Sequence, residues 1–262
     1  MEYVTKIAKI DQNERRSAVL DILRREGLPF THYFQKHNED WVENIVVSIN
    51  PSPSRLVIGA HYDSVEGSSG ANDNASGVSV LLKLAKALYE KQEISADIVF
   101  FDREEYPNSG SEKYISFLGK ENIGAMINLD ICGNGNRIVV WAKGNEENVH
   151  FQKMFSPEIL TAHNVTLIGY LPNGDDAFFE RAGISNISIA VLPEDDVSVF
   201  NDFYENYIKK GIKPTEAERK NGFASLKVLP TIHNGAKDNI DSVSQASMDL
   251  LLSYLCDGLI EK

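Results

Sequence analysis

The sequence predicts an α/β protein, a three-layer αβα sandwich whose central sheet is mixed and mostly parallel. Three observations carry that expectation. Apolar runs of strand length alternate with stretches of helical periodicity from Asn44 to Leu259, the pattern of a sheet covered on both faces by helices. The helical run Gly77–Glu90 lies between the strand-like runs Arg55–Ala60 and Ala96–Phe101, which makes a βαβ unit and hence a parallel strand pair. Pro51-Ser52-Pro53-Ser54 separates Asn44–Ile49 from Arg55–Ala60 and reads as a hairpin turn, so the sheet is mixed rather than purely parallel.

Taken in order, Asp11–Glu26 places Ala18, Val19, Ile22 and Leu23 at helical spacing and stops at Gly27 and Pro29, so it is an amphipathic surface helix. In Gly77–Glu90 the residues Val78, Val80, Leu81, Leu84, Ala85 and Leu88 mark a largely buried helix. A helix near Ser109–Gly119, strands at Ala125–Leu129 and Arg137–Trp141, and a helix near Glu146–Ala162 follow. A strand at Val165–Ile168, a helix at Asp175–Ala182, a strand at Ile187–Val191 and a closing helix at Ser242–Leu259 complete the alternation. The whole chain, 1–262, reads as one domain. Pro193–Leu229 breaks the rhythm, mixing acids, five aromatics and Lys209-Lys210. It reads as an insertion of the lid, binding-loop or oligomer-contact kind.

The formal net charge of -12 argues against a nucleic-acid partner, since binding to phosphates needs a cationic surface. Charged residues interrupt every apolar run of the N-terminal stretch Met1–Ile10, which offers neither a signal-peptide core nor a membrane span. No membrane partner is therefore expected. Cys132 and Cys256 lie far apart, so a disulfide framework is not expected and a reduced, cytoplasmic setting is the simplest reading. The oligomeric state stays open between monomer and dimer.

Polar residues capable of chemistry gather just after strand ends: His61 and Asp63, Glu104 and Glu105, and Asp130. A parallel sheet brings such ends together, and ligands bind there. His61 and Asp63, two apart on an extended segment, share a face, which lets Asp63 orient the His61 ring as carboxylates do for metal-bound histidines. The loop Gly70–Gly77 spends eight small or polar positions where one helix cap would do, with Asn74 or Ser76 as the capping candidate; Asp73 is its anionic centre. Glu104 and Glu105 repel one another at the end of an apolar strand unless cations or solvent offset them. A metal resolves the conflict, one carboxylate binding it while the neighbour accepts a proton from water.

Together these residues resemble the M28 family of zinc peptidases, which includes aminopeptidases and glutaminyl cyclases. The resemblance spans roughly Ile58 to Val243 and rests on Gly59-Ala60-His61-Tyr62-Asp63-Ser64, Gly70–Gly77, Glu104-Glu105 with Gly110-Ser111, Asn128-Leu129-Asp130, and His233 before Asp238. It implies a zinc-exopeptidase-like fold and two Zn²⁺ ions, with Asp73 bridging, His61 and Asp130 completing one site, and Glu105 and His233 the other. It further implies Glu104 as general base, Asp63 as a second catalytic residue, a cis Asp73–Asn74 peptide, and a peptide substrate with a free N-terminus. The function so implied is that of a metallo-exopeptidase, an aminopeptidase cleaving the N-terminal peptide bond of short peptides. Two alternatives stand beside it: a single-zinc glutaminyl cyclase-like enzyme, and a non-catalytic metal-binding interaction domain on the same fold. A carboxypeptidase or dipeptidase would instead need a cation for the substrate carboxylate, for which Lys209, Lys210 and Lys237 are the candidates.

Departures from the family pattern fall at Asp176, where relatives have His after the Asp that aligns with Asp175, at Ile232, where some have Tyr before the last ligand, and at Asn234-Gly235. Tyr204 and Tyr207 are candidate donors for the vacant Tyr role. His32, His37, His150 and His163 lie outside any ligand spacing. Cys132, two residues past Asp130, is read as a buried thiol rather than a nucleophile.

Overall fold

In the computed structural model the described residues are 1–37, 40–106, 110–233 and 235–260. The strands are β1 (Thr31–His37), β2 (Asp40–Ile49), β3 (Arg55–His61), β4 (Ala96–Phe101), β5 (Ile123–Leu129), β6 (Arg137–Trp141), β7 (Thr166–Leu167) and β8 (Asn186–Leu192). They form one sheet in the order β1-β2-β4-β3-β5-β8-β6-β7. Its centre is parallel, through the pairs β4 with β3, β3 with β5 and β5 with β8, and antiparallel pairs flank it on both sides. The helices are α1 (Glu2–Ile7), α2 (Gln12–Arg25), α3 (Gly77–Lys91), α4 (Gly110–Leu118), α5 (Pro157–Ala162), α6 (Asp176–Arg181), α7 (Glu194–Phe203), α8 (Glu216–Phe223) and α9 (Gln245–Leu259).

Strand alternation divides the side chains into two layers. Ile45, Ile58, Ile98, Ile127, Val140 and Ile189 face α1, α2, α3 and α9 in the larger core. Val46, Val57, Val99, Phe101 and Met126 face α4 and α6 on the other side. The three-layer sandwich expected from the sequence is thus the fold observed. Among the described residues no helix is long and apolar enough to cross a membrane.

Two local expectations are corrected. The hairpin expected across Pro51–Ser54 does not form, because β4 lies between β2 and β3: Ala96 pairs with both Ile49 and Leu56. The hairpin partner of β2 is instead β1, an edge strand whose polar His32, Gln35 and Lys36 conceal it in the sequence. Of the helix expected at Glu146–Ala162 only α5 forms. Ser156, held extended by the following proline, caps it through Ile159 N–H, while the Asn148 side chain accepts from His150 N–H in the preceding turns. The insertion Pro193–Leu229 supplies α7 and α8, and its Phe200, Leu226 and Val228 pack on Val139, Ala190 and Leu192 as a helical cover over β6 and β8.

Close approach around β3 sets a constraint at Gly59, where an added Cβ would lie 2.1 Å from the Phe101 ring. Gly59→Ala is expected to destabilise the protein by about 1–3 kcal/mol, the usual range for overpacking. A denaturant midpoint equal to that of the unmodified protein would contradict this.

Candidate metal centre

Because β4, β3 and β5 run side by side and parallel, their carboxyl ends open onto one edge of the sheet. His61 closes β3, Asp130 follows β5, and Glu104 and Glu105 follow β4 in the next turn. Asp73 enters from the irregular turn Ala71–Ser76 before α3, where its backbone leaves helical geometry and the Asp73–Asn74 peptide is cis. His233 arrives from the loop that precedes α9.

The side chains meet in two groups that share Asp73. His61 Nε2 lies 3.3 Å from Asp73 Oδ1 and 3.5 Å from Asp130 Oδ1. His233 Nδ1 lies 3.3 Å from Asp73 Oδ2 and 3.6 Å from Glu105 Oε2. Tetrahedral zinc, with nitrogen and oxygen ligands at about 2.0–2.1 Å, spaces its ligand atoms by roughly 3.3–3.4 Å, so both groups have the dimensions of a zinc polyhedron. Asp130 Oδ1, Glu105 Oε1 and both ring nitrogens of His61 are buried without a hydrogen-bond partner. Leaving such atoms unpaired is costly, and a mixed imidazole and carboxylate set of this kind fits a divalent cation.

Asp63 supports the arrangement from behind. Its carboxylate accepts hydrogen bonds from Glu104 N–H and Glu105 N–H, each at 3.1 Å, and lies 3.3 Å from His61 Nδ1. One buried carboxylate thereby sets both the ring of one ligand and the backbone that carries the acidic pair.

Without a cation the cluster relies on protons. Burial depresses His61, yet contacts with Asp130, Asp63 and Asp73 carry it well above the usual histidine value. Glu105 holds His233 up at about 9. Burial, reinforced by Asp175, Asp130 and Glu105 against the pull of His61, pushes Glu104 well above the carboxylate range. A metal must displace the ligand protons. The His233 proton stabilises the metal-free fold fully below its unfolded value near 6.5, and that contribution is lost as pH rises through about 9. The rise in Tm on zinc loading is therefore expected to grow between pH 6.5 and 9, as thermal scans of loaded and metal-free protein would show. A rise that shrinks over this window would contradict the assignment.

Hydrogen bonds explain the small polar loop. Asn74 donates to Leu129 C=O at 2.8 Å and accepts from Gly77 N–H at 3.0 Å, joining Asp73 to the strand that carries Asp130 while capping α3. Asn72 donates to Thr231 Oγ1 and accepts from Gly133 N–H, and Asp238 accepts from Asn72 N–H and Ser68 Oγ. His233 N–H donates to Asp73 Oδ2 at 2.9 Å. Arg103, Ile131 and His233, all at or beside the site, have left-handed φ values of 56, 47 and 50°. For a non-glycine this costs about 1–3 kcal/mol and persists only where neighbours over-determine it.

The other sequence-singled residues sit elsewhere or act differently. Asp176, fully buried, pairs with Lys143 and accepts from Gly174 N–H at 2.8 Å, which fixes the Asn173–Gly174 wall beside Glu104. Ile232 lines the cavity next to the cluster. Tyr204 packs against Gly169 and Tyr207 against Phe203, so neither lines that cavity. His32 pairs with Glu43 and His163 with Asp257, and Cys132 is fully buried. Asn234 lies outside the described residues. Sequence reasoning missed Asn72 as a hub and Arg15, whose one signal is a charge on the apolar stripe of α2 with Val19 and Ile22.

The sequence profile of peptidase family M28 matches residues 44–255. The chain belongs to this family. Among curated M28-like relatives, aminopeptidase YwaD of Bacillus subtilis is 35% identical over 101 residues, covering 36% of this chain and 20% of its own length. Endoplasmic reticulum metallopeptidase 1 of Mus musculus is 26% identical over 247 residues, covering 86% of this chain and 27% of its own. The chain thus spans about a quarter or less of these relatives. Among solved structures, a Zn-dependent exopeptidase from Parabacteroides distasonis superposes with TM-score 0.68 at 17% identity, over 98% of this chain and 96% of that one. A glutaminyl cyclase from an Acidobacteriales bacterium superposes with TM-score 0.67 at 15% identity, over 98% and 90%. At these identities the M28 likeness is one of fold. The second named relative belongs to the endoplasmic reticulum, so the cytoplasmic setting expected from the sequence gains no support here.

Proposed function

We propose that the chain is a zinc-dependent aminopeptidase of the co-catalytic two-metal type. His61, Asp130 and Asp73 Oδ1 would hold one ion, and His233, Glu105 and Asp73 Oδ2 the other. The observation that carries this reading is the pair of histidine nitrogens set against opposite oxygens of Asp73 at 3.3 Å each. Two zinc ions supply Lewis-acid polarisation of the scissile carbonyl and make water acidic enough to attack at neutral pH.

The remaining steps belong to the protein. Glu104 lines the same cavity as Asp73, Asp130 and His233, and there it would take the proton of the attacking water and pass it to the leaving amine. Asp63 fixes the Glu104 backbone and the His61 ring. Gly174, whose added Cβ would lie 3.4 Å from Glu104 Oε1, leaves room beside the base. The cavity measures about 140 Å³ and is walled by Ile131, Leu171, Pro172, Ile189, Ala190 and Ile232. That is room for one apolar side chain, not for an extended ligand, which suits the first residue of a peptide with a free N-terminus.

Zinc-loaded protein assayed with paired free-amine and N-acetylated aminoacyl substrates tests this. Cleavage of the free-amine member only, fastest for aliphatic first residues, is expected. Equal cleavage of acylated substrates would overturn the exopeptidase reading, and ring closure of N-terminal glutamine would replace it with a cyclase.

A further inference from the structure

Helix α2 lies outside the segment that the M28 profile matches, yet its first turns reach directly beneath the metal centre. Arg15 is wholly buried. Its Nε donates to Tyr62 C=O at 2.6 Å, Nη1 to Ser69 C=O at 2.5 Å and Gly70 C=O at 3.3 Å, and Nη2 to Asp63 C=O at 3.2 Å and Gly70 C=O at 3.4 Å. A guanidinium has five N–H donors, and here every one meets a main-chain carbonyl. One turn earlier Gln12 donates to Ser64 C=O at 2.8 Å and accepts from Ser64 N–H at 3.3 Å. An added Cβ at Gly70 would lie 2.6 Å from Ser64 Cβ and 2.7 Å from both Arg15 Nη1 and the Asp73 carbonyl oxygen, so the loop closes on the guanidinium and on itself with no room to spare.

The carbonyls belong to two segments only. Tyr62 and Asp63 directly follow ligand His61, and Ser69 and Gly70 shortly precede bridging Asp73. Asp63 in turn holds the backbone of Glu104 and Glu105. Among the described residues no carboxylate pairs with the Arg15 head; the charges that act on it are those of Asp63, Asp238, Asp73 and Glu105, the acids of the centre and its supports. Burying a cation on carbonyls alone is expensive, and well-packed apolar side chains serve helix packing as well or better. Val19, Ile22 and Leu23 do that on the same face of α2. A purely packing role thus leaves the charge and its five-way fork unexplained.

We propose that Arg15 is a positioning residue of the metal centre, fixing the separation of the His61 and Asp73 loops so that the two ligands meet one ion. The proposal rests on the two-zinc reading above. Arg15→Lys keeps a charge but loses the planar fork, Arg15→Met keeps length without charge, and Val19→Ala removes apolar packing from the same helix without removing a side-chain hydrogen bond to either loop. Zinc dissociation constants by chelator competition, Tm of the metal-free protein, and kcat and KM at saturating zinc are measured for each. Both Arg15 variants are expected to bind zinc about 10- to 100-fold more weakly, the range for residues that orient ligands. Their kcat should fall at saturating zinc while KM changes far less. Val19→Ala should lower Tm and leave zinc affinity within about twofold of the unmodified protein. Should Arg15→Met fail to fold, Arg15→Lys together with Gln12→Ala, which loosens only the neighbouring clamp, decides the matter. Unchanged zinc affinity in the Arg15 variants, or an equal loss in Val19→Ala, overturns the proposal. An unmodified protein that binds no zinc overturns the metal-centre reading itself and the proposal with it.

Discussion

Glu104→Ala is expected to lower kcat by roughly three to four orders of magnitude, at the upper end of what a positioned general base contributes, while zinc content stays at two per chain and KM changes little. At about 1.4 kcal/mol per tenfold, that loss corresponds to some 4–6 kcal/mol of barrier. The large figure follows from what surrounds Glu104. Its neighbours in the cavity are Asp73, Asp130 and His233, which the proposed site commits to metal, and Asn128, Asn173 and Ser188, which cannot accept a proton at neutral pH. Among the described residues that line this cavity, none is left to replace it as base. Glu104→Gln separates proton transfer from packing, since it retains size and hydrogen bonding. A drop as deep in Glu104→Gln as in Glu104→Ala is expected in steady-state assays; activity restored by glutamine would remove Glu104 from the role of base.

Asp73→Asn is expected to strip both metals at once. Asp73 Oδ1 and Oδ2 each stand 3.3 Å from a different histidine, and an amide offers an oxygen to one side and a hydrogen-bearing nitrogen, which cannot ligate, to the other. With the negative charge gone as well, one site is left with one carboxylate and one histidine, and the other adds only a neutral amide oxygen to such a pair. Zinc content should fall from two per chain to near zero after dialysis, whereas His233→Ala should keep the ion held by His61, Asp130 and Asp73. The stability readout is parallel. Free zinc at a thousandfold above Kd stabilises by about 4 kcal/mol per site, and at roughly 2–4 °C per kcal/mol for a chain of this size, loading should raise Tm by on the order of 10 °C or more. Asp73→Asn should show none of that rise. Retention of two tightly held zinc ions in Asp73→Asn would show that Asp73 does not bridge.

The contrast between what the sequence revealed and what it hid has a physical cause. His61, Glu104, Glu105 and Asp130 were legible because each lies at or shortly after the end of a strand whose apolar run is plain, and parallel order alone brings such ends to one edge. Asp73 was legible because its loop is too polar and too small for a cap alone. The neighbour relations of the strands were not: Pro51–Ser54 suits a hairpin or a step past β4 equally well, and only the pairing of Ala96 with both Ile49 and Leu56 decides between them. The braces at Arg15, Asn72 and Asp238 stayed hidden for a related reason. They bind groups distant in sequence, as Asn72 does at the Thr231 hydroxyl and Gly133 N–H, and such contacts leave no period or spacing along the chain. Asp176 likewise looked like a lost histidine until Lys143, on the far side of β6, supplied its partner.

The two-zinc assignment is tested most directly by locating the metals in crystals of zinc-loaded protein with diffraction at the zinc absorption edge. Two anomalous peaks about 3.5–4 Å apart, the usual spacing of co-catalytic pairs, are expected on either side of Asp73, one beside His61 and Asp130 and the other beside His233 and Glu105. A single peak, or peaks that do not touch Asp73, would contradict it.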